Sequence, residues 1–62
     1  MTWTAQWLIE FRRYHRLSLA QVAIWLGVSR QMVHQVERGA RPLPVRWGER
    51  LERMRARYAS DG

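Results

Sequence analysis

Between Gly27 and Gly39 the polar residues Arg30, Gln31, His34, Gln35 and Arg38 are connected by steps of three and four. On a helix that spacing gathers them onto one face. An arginine fork fits the O6 and N7 acceptors of guanine, and a glutamine amide matches adenine N6 and N7. His34 can donate to a base acceptor or to a phosphate, or it is an ordinary exposed histidine. Arg38, and Arg41 beyond the helix end, suit phosphate, which positions a protein on a duplex without reading its sequence. Ser29 can cap the helix and offer its hydroxyl to phosphate as well. Gln21, at the start of the preceding helix, is a further phosphate candidate. This is recognition chemistry rather than bond-making chemistry. No nucleophile stands beside a base, Ser29 is accounted for as a cap, and Asp61 lies in the tail, so an enzyme is not expected.

The charge balance agrees with that reading. Eleven basic residues face five acidic ones, a net charge of +6, and every basic residue is an arginine. Arginine adds a planar bidentate fork that lysine lacks, although codon bias in a GC-rich genome would also remove lysine. The net charge favours a polyanionic partner. With no cysteine there is neither a disulfide nor a thiolate site. His15 and His34 are far apart and there is no cysteine, so no metal site is expected, nor any cofactor or small-molecule ligand. No apolar run would cross a bilayer, and the N-terminus lacks the order of a signal peptide. The expected setting is the cytoplasm of whatever cell makes the chain, with no membrane partner.

The elements that must position these residues follow from spacing and breakers. The reading is all-α: a compact four-helix domain, with a five-helix version as the alternative, spanning 1–62 as one unit. The first helix covers about 3–15, with Trp7, Leu8, Phe11 and Tyr14 as its apolar stripe and Thr2 or Thr4 as cap. The second covers about 19–26. Ser18 with Gln21 fits a capping box, Leu17 with Val22 a hydrophobic staple, and Gly27 a left-handed stop. The third covers about 30–38, capped by Ser29, stapled by Val28 and Val33, and closed by Gly39. The fourth covers about 44–58, with Pro44 at its first position and Trp47, Leu51, Met54 and Tyr58 as its stripe. Residues 59–62 are expected to fray. Gly48, in the middle of that helix, has no role in the pattern.

Two short helices joined at Gly27-Val28-Ser29 pack steeply only if small and apolar residues face inward. Ala23 supplies the small one; Val22, Leu26, Val28, Val33 and Val36 supply the rest. The stretch LSLAQVAIWLGVSRQMVHQVERG resembles the Cro/C1-type (XRE) family of helix-turn-helix regulators. Val22, Ala23, Leu26, Gly27, Val28, Val33 and Val36 match family positions, followed by Glu37-Arg38-Gly39. With the first helix the similarity spans about residues 7–55. The resemblance implies a lambda-repressor-like fold with a helix pair over 18–38 and a recognition helix over 29–38. It also implies a structural ion pair between Arg12 and Glu37, where Glu37 read alone is a solvated helix-end charge. The segment from Gly39 to Pro44 is faintly similar to the linker in small phage-encoded repressors, including anti-CRISPR-associated ones.

Departures from the family pattern carry expectations of their own. Leu19 replaces a glutamine that commonly touches phosphate. Ile24 and Trp25 replace polar residues, and are either core or a surface that meets a second copy. Arg46, Arg50, Arg53 and Arg57 form a row along the fourth helix, either a solvated flank or a contact to DNA backbone or an acidic partner. The function expected is sequence-specific binding of double-stranded DNA by a transcriptional regulator, a homodimeric repressor of a short inverted repeat. Trp25, Trp47 and Tyr58 are the dimer-interface candidates. The alternative is an antitoxin or adaptor whose helix-turn-helix mainly binds another protein.

Overall fold

Three serine and threonine hydroxyls start the helices. The computed structural model describes residues 3–61, with side chains through position 57. Its elements are α1 (Ala5–Tyr14), α2 (Leu19–Leu26), α3 (Arg30–Glu37) and α4 (Val45–Asp61), with no strand among the described residues. The Thr4 hydroxyl accepts from the Trp7 N–H at 3.1 Å, Ser18 from Gln21 at 3.0 Å and Ser29 from Met32 at 3.1 Å. Each satisfies one of the orphan donors at a helix start. Thr2, the alternative cap, lies outside the described residues. The fourth helix runs on to Asp61, past the expected end near 58.

The first three helices end alike. At each stop one residue turns left-handed, its N–H bonds back three residues, and the next N–H bonds back five. Gly27 (φ 72°) donates to the Ile24 carbonyl and Val28 to that of Ala23; Gly39 (φ 81°) donates to Val36 and Ala40 to Gln35. This paired arrangement is the Schellman motif. After α1 the same two bonds run from Arg16 to Arg13 and from Leu17 to Arg12, but Arg16 holds φ 56° as a non-glycine residue. A left-handed side chain costs roughly 1–2 kcal/mol.

Helices of eight residues, as α2 and α3 are, do not persist alone in water; packing holds them. Leu8 and Phe11 of α1, Val22 and Ala23 of α2, Val33 and Val36 of α3, and Trp47 and Leu51 of α4 form one buried cluster. The α2–α3 pair, joined by three residues, packs internally and against α1 and α4. Ala23 is buried, with its carbonyl taken by Val28.

Two expectations about apolar residues are corrected by this packing. Tyr14 is 83% exposed rather than part of the α1 stripe. His15 takes the inner side instead, its ring 4.6 Å from that of Phe11. Trp47, a dimer-interface candidate, is only 4% exposed and is core. Trp25 is half-buried against the same core, whereas Ile24 is 74% exposed. Tyr58, the third interface candidate, lies outside the described side chains.

Gly48 proves to be a notch. A Cβ there would collide with the Trp3 indole, so the indole lies directly on the helix backbone. A glycine inside a helix gives up about 1 kcal/mol relative to alanine, and the docked indole offsets it. From Trp3 the aromatic contacts continue along α1 to Trp7, Phe11 and His15. No helix of the described residues is long and apolar enough to cross a membrane.

Candidate nucleic-acid interface

With Val33 and Val36 buried, α3 has only one way to face outward. Gln31, His34 and Arg38 are exposed and Gln35 is half-buried on that side. Two hollows flank them. One, of about 430 Å³, is lined by Gln31, His34, Gln35, Arg38, Gly39 and Ala40. The other, of about 260 Å³, is lined by Ser29, Gln31, Met32, Gln35 and Arg41. Gln31 and Gln35 border both, so they form the ridge between them. Arg30 is exposed at the first position of α3 and borders neither hollow. At about 100° per residue it sits around the helix from Gln31, on the His34 flank.

The electrostatics of the face are one-sided. From Val28 to Pro44 the sole acidic residue is Glu37, and it is turned away to Arg12. Arg12 Nε donates to Glu37 Oε2 at 2.7 Å and Nη2 to Oε1 at 3.0 Å, while Nη1 donates to the Leu17 carbonyl at 3.2 Å. One guanidinium thus ties the end of α3 to α1 and to the loop before α2. The hydrogen bonds to Glu37 hold Arg12 above its ordinary pKa, outweighing the burial that opposes them. Removing the only carboxylate leaves Arg30, Arg38 and Arg41 unopposed around the glutamine ridge.

Other expected contacts fall where the fold puts them. Ser29 caps α3 and borders the second hollow, so its hydroxyl is already engaged with a backbone N–H. Gln21 is exposed in the first turn of α2. Arg41, read from the sequence as a phosphate contact alone, donates from Nε to Gln35 Oε1 at 2.8 Å. The arginine row of α4 is divided in role. Arg46, Arg53 and Arg57 are exposed, but Arg50 Nε donates to the Trp25 carbonyl at 2.7 Å. A cation donating to a carbonyl in the last turn of α2 complements the helix dipole. Arg50 is therefore a structural residue. No spacing rule shows either arginine bond: Arg41 comes back onto Gln35 across the turn at Gly39, and Arg50 meets Trp25 from 25 positions away. In comparisons with protein-family models, curated proteins and solved structures, no match to this chain is found.

Proposed function

We propose that this chain is a transcriptional regulator of the Cro/C1 type that binds duplex DNA with α3 in the major groove. The observation that carries the reading is the α3 face itself: a glutamine ridge bordered by arginines, with its one carboxylate withdrawn into the pair with Arg12. Gln31 and Gln35 read base edges at the centre of the contact. Arg30 and His34 reach bases from one flank, and Arg38, Arg41, Ser29 and Gln21 meet phosphate. A domain of 62 residues covers little DNA, and a second copy doubles the contacts and the site length. The protein therefore acts as a homodimeric repressor on an inverted repeat, at the nucleoid of a bacterial or phage-infected cell.

The test is to sequence the duplexes that the purified protein selects from a random pool, then measure variants on single-base changes of the selected site. An inverted repeat with half-sites about one helical turn apart is expected. Gln31→Ala and Arg30→Ala are each expected to remove about 1–3 kcal/mol of discrimination at one base pair per half-site. Failure to enrich any sequence refutes the reading. The exposure of Ile24 favours a second reading, an antitoxin or adaptor that docks on protein. On that reading Ile24→Glu abolishes partner capture while Gln31→Ala changes nothing.

A further inference from the structure

The hydrogen bond between Arg41 and Gln35 joins a residue of the loop to the ridge of the reading face. An unattached glutamine amide turns freely about its last torsion, since that well is broad and two-fold. Its oxygen and nitrogen then present themselves alike to an approaching base. Here the Arg41 Nε–H takes the Oε1 side at 2.8 Å, a charge-assisted bond stronger than a neutral one. One lone pair of that oxygen is then occupied by a cation, whereas both Nε2 donors remain open to a base. The bidentate glutamine–adenine match needs the oxygen to accept from N6 while the nitrogen donates to N7. Guanine, by contrast, offers only acceptors, O6 and N7, to which a donor pair is suited.

Arg41 has further capacity. A guanidinium carries five N–H donors, of which Nε supplies one, so both Nη groups remain. Ser29 and Gln31 border the same hollow as Arg41, which places those donors beside the start of α3, where the DNA backbone would pass. We propose that Arg41 is a positioning residue for specificity: it binds phosphate through its Nη groups while its Nε fixes Gln35 as a donor, so that Gln35 selects guanine over adenine. The inference rests on the duplex-binding reading above.

Arg41→Lys keeps the charge for phosphate but lacks the fork that serves two partners at once. The position read by Gln35 is identified as the one whose preference Gln35→Ala erases. There the parent protein is expected to favour guanine over adenine by about tenfold or more. Arg41→Lys is expected to bring that preference within about twofold, over and above the uniform loss of affinity on random duplex that comes from trading the fork for a point charge. The double variant should lose nothing more at that position. In the free protein, Arg41→Lys should shift the side-chain amide signals of Gln35 in nitrogen-edited NMR spectra and leave those of Gln31 in place. If duplex is selected but Arg41→Lys retains the preference, the positioning role falls alone. If Arg41→Lys weakens all duplexes equally, Arg41 is only a phosphate contact and the proposal is again overturned. If no duplex is selected at all, the DNA reading falls and the proposal with it.

Discussion

Arg16 holds a backbone conformation that glycine holds at the other two helix stops. At φ 56° its Cβ meets the steric penalty of the left-handed region, which Arg16→Gly removes. Glycine's extra freedom in the unfolded chain returns about 0.4–1 kcal/mol of that gain. The net expectation is a stabilisation of about 0.5–1 kcal/mol, seen as a rise in melting temperature of about 2–8 °C. Arg16→Ala keeps the strain and should leave the melting temperature close to that of the parent; a rise equal to that of the glycine variant would show that the charge, not the backbone, was at fault. Glu37 presents the opposite case. Its side chain is 8% exposed and that of Arg12 24%, so Glu37→Ala leaves a half-buried guanidinium without its carboxylate. A loss of about 2–4 kcal/mol is expected in urea denaturation, and pairing Arg12→Met with Glu37→Leu should recover most of it. A double variant as unstable as Glu37→Ala would mean that the Arg12 bond to the Leu17 carbonyl matters more than the pair.

Helix α4 owes its place partly to the docking of Trp3. Gly48→Ala would normally gain about 1 kcal/mol of helix propensity. Here it should destabilise, by roughly 2–4 kcal/mol, because the methyl displaces the indole from its site. In a Trp3→Ala background the same change should stabilise, and this reversal of sign in a thermal double-mutant cycle is the check. Local signals sufficed for all four helices: hydroxyl caps at Ser18 and Ser29, glycines at the stops, and valines at core spacing. Gly48 read as a misfit because its partner is 45 positions away in the chain. Arg12 with Glu37 was anticipated only through a family resemblance, not through spacing. Arg41 with Gln35 and Arg50 with the Trp25 carbonyl were invisible, since arginine looks the same whether it faces water, phosphate or a carbonyl. The outward face of α3 was legible as a set of residues, and its internal wiring was not.

The whole molecule carries a net charge of +6, and on the proposed function its affinity for DNA should be governed by counterion release. A dimer making on the order of 6–10 phosphate contacts loses about a thousandfold or more in affinity between 50 and 200 mM salt. An affinity independent of salt would exclude duplex DNA as the partner. Stability should respond far less, because the core is apolar and the Arg12–Glu37 pair is shielded. The placement of the indoles makes these two quantities separable in a single tube. Trp3, Trp7, Trp25 and Trp47 all lie outside α3 and the loop that follows it. Their fluorescence therefore tracks the packing of α1, α2 and α4 and stays nearly silent when the α3 face is occupied. Unlabelled protein can be melted in rising concentrations of duplex, with emission counting only the folded fraction. The upward drift of the midpoint then gives the dissociation constant through mass action.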